Sequence, residues 1–211
     1  MKKIIMQIIS QINNKQTNNN NNEEQAFIPI IAQNNKAPSH SYNNESENQH
    51  NNSSLSFDFE IEKQINLQKI VNYFEQTAQQ QDLQQLTPHP TFSSQKLPSI
   101  STLDYLKRIQ KFTDCSNVNF LLALIYVQRL KEEVGDQLLN SYTLLRLVLS
   151  ACIIAMKYNN DQILNNEYYA RIGGVKKPEL AKLEKIFCEL INFKLYVSEE
   201  TFLDYVKKYG F

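Results

Sequence analysis

The residues best suited to catalysis or metal binding are few in this chain of 211 amino acids, and they are poorly placed for either role. Of its three histidines, His40 and His50 lie in a segment rich in Asn and Gln, and His89 stands between two prolines. An enzyme or a metal site needs a base, nucleophile or ligand set held on ordered elements. The sequence therefore predicts a non-enzyme with no cofactor, no metal site and no small-molecule substrate.

Two charged residues stand out because of their apolar surroundings. Lys157 ends the run LLRLVLSACIIAMK, which begins at Leu144. A run that is apolar on nearly all sides of a helix predicts a central helix surrounded by others. Glu184 shares a helical stripe with Leu180 and Phe187, so its carboxylate borders an apolar face. From these residues alone, a snorkelling lysine at a helix end and an ordinary flanking carboxylate are the simpler interpretations.

The composition limits the class of protein further. A net charge of +0 with 42% hydrophobic residues is ordinary for a globular protein and does not indicate nucleic acid as a partner. No apolar run reaches the roughly 18 residues that a membrane-spanning helix needs, and the start MKKIIMQIISQI lacks the features of a signal peptide. The widely spaced Cys115, Cys152 and Cys188 predict reduced thiols. We expect an intracellular protein of the cytoplasm, the nucleus or both.

The chain divides into two parts of different character. Residues 1–56 form a low-complexity part dominated by Asn, Gln and Ser, including an unbroken asparagine run over 18–22. Such a composition offers little apolar surface to offset the entropy of ordering, so we predict a disordered tail. The tail has either a regulatory role or no specific role. Residues 57–211 carry regular apolar spacing and are predicted to form the folded domain.

Apolar residues recur at steps of three and four through this second part, which predicts an all-α fold. Ser99 or Ser101 is suited to cap the helix after the proline-rich connector, and Ser198 to cap the last one. The pair Gly173-Gly174 predicts a helix break, because it lacks the surroundings of a phosphate loop. The predicted helices begin near Phe57, after Pro98, and at Ser116, Leu144, Asn166, Pro178 and Glu199.

The order of these pieces resembles the cyclin family. The motifs, in chain order, are PSIS at 98–101, the run LLRLVLSACIIAMK, NEYYARIGGV at 166–175 and LAKLE at 180–184. They are most similar to the P- or U-type cyclins, over roughly residues 57 to 209. The resemblance implies a single cyclin box, a five-helix bundle around a central helix, with one additional helix before it and the disordered tail in front.

The resemblance also implies a function. Cyclins are regulatory subunits that bind and activate a cyclin-dependent protein kinase by holding the αC helix of the kinase in its active position. In the family, a lysine and a glutamate at the positions of Lys157 and Glu184 hydrogen-bond to the kinase backbone near that helix. Around this pair, the implied apolar contacts with the kinase, each of which could instead be a core residue, are Ile154, Tyr158, Phe187 and Leu190.

Two features qualify this interpretation. Gln128 stands where many cyclins carry an aspartate that pairs with the following arginine, so Arg129 needs another partner, and Asp104 is a possible one. The segment YLKRIQKF also lacks the patch by which cell-cycle cyclins dock substrate peptides. The alternative to a kinase activator is a cyclin-fold helical adaptor or a transcription-related binding module that activates no kinase. The neutral charge and the single box argue against a DNA-binding form of this alternative.

Overall fold

The computed structural model describes residues 61–84 and 88–211, and over these ranges the fold is all-α, as predicted. The predicted tail of residues 1–56, the helix start near Phe57, and both His40 and His50 lie outside the described residues. An isolated bridge between Ile65 and Gly210 is the one β-type pairing within the described ranges. The helices, in chain order, are α1 (Leu67–Asp82), α2 (Thr102–Phe112), α3 (Asn117–Val134), a 3-10 turn (Asp136–Leu138), α4 (Leu144–Asn159), α5 (Asn166–Gly173), α6 (Lys177–Leu190) and α7 (Glu199–Tyr209).

Helix α4 is the centre of the bundle. Every residue from Leu147 to Met156 is buried, and the helix packs chiefly against α3 and α6. The one hydroxyl in this stretch, Ser150, donates a hydrogen bond to the carbonyl of Arg146 at 2.7 Å, which satisfies a polar group that the core would otherwise isolate. Each fully buried Leu or Ile contributes roughly 1.5 to 3 kcal/mol of transfer free energy, so this helix anchors the fold.

Two predicted serine caps and one glycine set helix boundaries. The Ser101 hydroxyl accepts from the backbone N–H of Asp104 and begins α2, and Ser198 accepts from the N–H of Thr201 and begins α7. Gly135 ends α3 with a φ of 86°, a left-handed conformation that a glycine adopts without a steric penalty. Local capping chemistry therefore fixes these three boundaries.

The first predicted helix is interrupted. Residues 61–64 are helical, but the chain then breaks at Ile65, and a new helix begins after Asn66. The Asn66 side chain accepts from the N–H groups of Gln68 and Lys69 at 3.0 and 3.3 Å, so it caps α1. The apolar spacing continues across the break, which is why periodicity alone predicted one helix. Asparagine favours a cap over a helix interior, and here that preference prevails.

One predicted core residue is exposed. The spacing of Leu103, Leu106, Ile109 and Phe112 predicts a buried stripe on α2, but Phe112 ends the helix with 48% of its surface exposed, whereas Leu106 and Ile109 are fully buried. The ammonium group of Lys111 lies 5.5 Å from the centre of its ring. The stripe is therefore one turn shorter than the spacing predicted.

The proline-rich connector before α2 is fixed by a histidine turn. The Nδ1 atom of His89 accepts hydrogen bonds from the N–H groups of Thr91 and Phe92 at 3.1 and 3.2 Å. The next ring in the chain, that of Phe92, is fully buried against Phe187, with ring centroids 6.5 Å apart. Burial, together with the charge of Lys182, lowers the pKa of His89. The turn therefore requires a neutral imidazole with its proton on Nε2.

We expect His89 to make folding stability depend on pH. A histidine whose pKa is lowered by folding binds a proton more readily in the unfolded chain, so stability is greatest above its unfolded pKa of about 6.5 and falls as pH drops below it. Urea unfolding at pH 7.5 and pH 5.5 measures this loss. In His89→Asn, which keeps an acceptor but does not titrate, the loss should be smaller. An equal loss in both proteins would contradict the prediction.

Candidate functional site

Three polar side chains from three different helices meet at the exit of α4. The Nζ atom of Lys157 lies 2.5 Å from Oε1 of Glu184 and 2.6 Å from Oδ1 of Asn166. The Asn166 amide also donates from Nδ2 to the second carboxylate oxygen of Glu184 at 2.9 Å. Helices α4, α5 and α6 each supply one member of this closed triangle, which we call the polar cluster (Lys157, Asn166 and Glu184).

The polar cluster has hydrogen-bonding capacity left over. The ammonium group of Lys157 carries three donors, and two of them are used within the cluster. Its side chain is 27% exposed, and the side chain of Glu184 is 13% exposed. The ring of Tyr169 lies with its centre 5.8 Å from the same ammonium, a cation–π distance that holds the lysine over α5. The cluster can therefore offer a donor and carboxylate lone pairs to a second molecule.

The four apolar residues predicted around this pair divide by exposure. Tyr158, at the end of α4, is 40% exposed, and Leu190, at the end of α6, is partly exposed. Ile154 is 5% exposed and Phe187 is fully buried against Phe92. Ile154 and Phe187 are therefore buried in the free chain, which favours the core interpretation left open for them, and their contact with a kinase stays a prediction. Both residues belong to the core on which the more exposed Tyr158 and Leu190 lie.

An exposed aromatic residue that sequence analysis missed, Phe193, lies in the loop that follows α6. It stands three residues after the last residue of α6, its N–H donates to the carbonyl of Cys188 at 2.8 Å, and 66% of its surface is exposed. Cys188 lies one helical turn after Glu184 on the same stripe. Asn192 and Phe193 have φ values of 52° and 54°, in the left-handed region that non-glycine residues rarely adopt. Periodicity has no signal for such a turn.

Helix α3 holds the chain after α6 in this strained conformation. The guanidinium of Arg129 donates to the carbonyl of Lys194 at 2.5 Å, and the hydroxyl of Tyr126 donates to the carbonyl of Leu195 at 3.0 Å. Glu133 accepts from the side chains of Asn192 and Lys194, and its hydrogen bond and ion pair with Lys194 lower the pKa of Glu133. Left-handed residues persist only where their surroundings fix them. The exposed ring is therefore presented by a rigid loop.

The glycine pair has a structural role, as predicted. A Cβ atom on Gly173 would lie 2.5 Å from a methyl carbon of Leu149, which is buried in α4 and would have to shift. The carbonyl of Gly173 accepts from the Tyr105 hydroxyl at 2.8 Å, and Gly174 ends α5 with a φ of 71°. Gly173 therefore lets the end of α5 pass close to Leu149 of α4, and Gly174 ends α5.

The suggested partner for Arg129 is wrong. Asp104 instead accepts from the Ser101 hydroxyl in its own helix, while Arg129 donates to the loop after α6. Gln128 donates from Nε2 to the Tyr209 hydroxyl at 3.1 Å and accepts from the Tyr205 hydroxyl. A carboxylate at this position accepts but does not donate. Glutamine thus ties α3 to α7 in a way that aspartate would not.

The other residues considered for chemistry are buried or dispersed. Burial raises the pKa of the Cys115 thiol, and both Cys115 and Cys152 are buried free thiols in the core. Among residues 61–84 and 88–211, no group of three or more His, Cys, Asp or Glu side chains is arranged to hold a metal ion. No helix in these two ranges is long and apolar enough to cross a membrane.

Comparison with known proteins identifies what the chain is similar to. A family model described as Cyclin matches residues 3–195. Cyclin-U4-3 of Arabidopsis thaliana is 34% identical over 124 residues, covering 59% of this chain and 57% of that protein. Cyclin-U1-1 of the same plant is 38% identical over 114 residues, covering 54% of each chain. PHO85 cyclin-7 of Saccharomyces cerevisiae is 31% identical over 142 residues, covering 62% of this chain and 50% of the relative. The chain thus spans about half the length of the curated relatives it matches.

Proposed function

This chain belongs to the cyclin family, and from that premise we propose that residues 57–211 bind and activate a cyclin-dependent protein kinase inside the cell. The observation that carries the proposal is the closed polar cluster of Lys157, Asn166 and Glu184 at the exit of the central helix. It stands on the face where the resemblance places the kinase-binding lysine and glutamate. In this proposal the chain itself is a non-catalytic subunit, and the yeast relative to which it is similar is named PHO85 cyclin-7.

Activation in this proposal is a shift of the kinase equilibrium. A protein kinase is active when a glutamate on its αC helix pairs with a lysine on a strand of the active site. A cyclin that binds the αC-in state more tightly than the αC-out state increases the active population by its differential affinity. A rigid face suits this purpose because a soft face would adapt to both states.

The proposed contacts follow from what the described face offers. The third N–H of Lys157 donates to a backbone carbonyl of the kinase, and Glu184 accepts from a backbone N–H. The exposed rings of Tyr158 and Phe193 and the side chain of Leu190 supply the apolar surface around these polar contacts. An apolar surface surrounding a few charged hydrogen bonds is typical of the energetic centre of protein interfaces.

Capture of a kinase tests the proposal. The purified full chain, immobilised and incubated with extract of its own cells, should retain a protein that mass spectrometry identifies as a cyclin-dependent kinase. Kinase activity toward a general substrate should rise when that kinase is mixed with the chain. Lys207→Ala, an exposed change on α7, should behave like the unmodified chain. Binding without activation would support the adaptor alternative, and no captured kinase would refute both binding and activation.

Phe193 should be a contact residue on this face. Phe193→Ala removes an exposed ring from a loop that α3 holds in place, so the folded chain should lose little stability. We expect kinase binding to weaken about tenfold, because a buried aromatic at an interface contributes more than 1 kcal/mol. Titration of the kinase with each variant measures the change. Phe211→Ala, which removes another exposed ring, is the control, and equal binding by both variants would contradict the assignment.

A further inference from the structure

The side chain of Asn166 uses both ends of its amide within the polar cluster. Oδ1 accepts from the ammonium of Lys157 at 2.6 Å, and Nδ2 donates to the carboxylate of Glu184 at 2.9 Å. We propose that Asn166 is a positioning residue, which fixes the Lys157 and Glu184 side chains in their binding geometry before a partner arrives. The effect of Asn166 on kinase affinity rests on the proposed function. The positions of the Lys157 and Glu184 side chains, in contrast, can be tested in the free chain.

Lys157 and Glu184 need such a residue because both side chains are flexible. A lysine carries about 2 kcal/mol of rotamer entropy, and an ion pair with one contact leaves both chains free to rotate about it. The second oxygen of Glu184 would then turn toward water. The donor from Asn166 occupies that oxygen, so the carboxylate plane is held by two contacts, from Lys157 and Asn166.

Asn166 can act in this way because its own backbone is fixed. It is the first residue of α5, and the preceding Asn165 caps the helix by accepting from the N–H of Tyr168 at 2.9 Å. Three residues later, Tyr169 places its ring beside the Lys157 ammonium and accepts from the N–H of Leu164 at 3.2 Å. The loop before α5 and the first turn of α5 are therefore both tied down.

The chemistry of the position requires an amide. The side chain must accept on one side, from a cation, and donate on the other, to a carboxylate. Asparagine has both functions, whereas an ionised aspartate at the same place would only accept and would repel Glu184. This explains why the motif NEYYARIGGV begins with asparagine, a residue that sequence analysis noted without a role.

Preorganisation of this kind has a measurable consequence for binding. A partner pays less to order the side chains it meets when they are already ordered, so affinity rises without a new contact. If Asn166 acts through its two neighbours, its removal should matter only while those neighbours are present. A residue that contacts the partner independently would instead contribute the same amount with or without Lys157 and Glu184.

A reaction on the free chain tests the geometry. Reductive methylation of the full chain, followed by peptide mass spectrometry, gives the rate at which the Lys157 amine reacts. In Asn166→Ala we expect that rate to rise about threefold, because one of its two charge-assisted hydrogen bonds is lost. Glu167→Gln, an exposed change at the next residue, should leave it unaltered. An unchanged methylation rate of Lys157 in Asn166→Ala would overturn the inference about Asn166. It would not contradict the proposal that the chain binds a kinase.

A double-mutant cycle tests the consequence for binding. Asn166→Ala should weaken kinase binding about tenfold in the unmodified chain and less than about twofold in a chain that already carries both Lys157→Ala and Glu184→Ala, treated as one change. A tenfold loss in both backgrounds would overturn the positioning role, because Asn166 would then act without Lys157 and Glu184. If no variant binds a kinase, the proposed function fails and the methylation rates still decide the geometric part.

Discussion

Glu184→Ala is expected to weaken kinase binding by about 1 to 3 kcal/mol. The substitution removes the carboxylate that accepts from Lys157 and Asn166, and it leaves the ammonium without its ionic partner on the proposed interface. Lys157→Ala should have an effect of the same order, since it leaves Glu184 with one hydrogen bond and removes the donor available to the kinase. Isothermal titration or a competition assay with the captured kinase measures both changes.

The matched control is a carboxylate on the same helix. Glu189 lies near the end of α6, is exposed, and makes only a 3.8 Å ion pair with Lys185, one turn away. Glu189→Ala removes the same charge from the same helix without touching the polar cluster, so binding should change by less than about 0.5 kcal/mol. Losses of equal size in Glu189→Ala and Glu184→Ala would indicate a general effect of charge. If Lys157→Ala and Glu184→Ala both bind the kinase as tightly as the unmodified chain, the assignment of these two residues to the kinase interface is refuted.

Local signals predicted the elements well where cap and periodicity agreed. Helix α7 begins after Ser198 and runs over Glu199–Tyr209, because a capping serine, two acidic residues in the first turn and an apolar stripe all favour the same boundaries. The first helix was predicted wrongly where two signals disagreed. The apolar stripe passes through Ile65 and Asn66, but the cap at Asn66 and the pairing of Ile65 with Gly210 interrupt it. The bridge partner is distant in sequence, so no local pattern contains it.

The site was predictable only in part, for a similar reason. Lys157 and Glu184 could be singled out because each charge stands beside an apolar run. Asn166 could not, because an asparagine at the start of a helix is ordinary and its two partners lie on other helices. Phe193 was missed because its exposure depends on left-handed backbone geometry that α3 imposes. Periodicity along one helix does not identify side chains whose roles depend on contacts between different helices.

The second large effect is expected in stability, from Phe187→Ala. Phe187 is fully buried on α6, and its ring meets the ring of Phe92 edge to face, with an interplanar angle of 82°. Truncation of a buried phenylalanine costs about 3 to 5 kcal/mol, through lost transfer free energy and the cavity left behind. The loss should also loosen the connector that Phe92 anchors. Urea unfolding of the full chain measures the change in free energy.

Two comparisons separate this core role from a direct contact with the kinase. Phe187→Leu keeps an apolar side chain, so more of the stability should remain than in Phe187→Ala. Leu190→Ala, on the partly exposed end of the same helix, should lower the free energy of unfolding less than Phe187→Ala does. Relative to that loss of stability, it should weaken kinase binding more than Phe187→Ala does. If Phe187→Ala instead unfolds within about 1 kcal/mol of the unmodified chain while kinase binding falls tenfold, the ring is a contact residue. The buried packing against Phe92 would then have to open when the kinase binds, and the face would be an adaptable one instead of the rigid face proposed for holding αC.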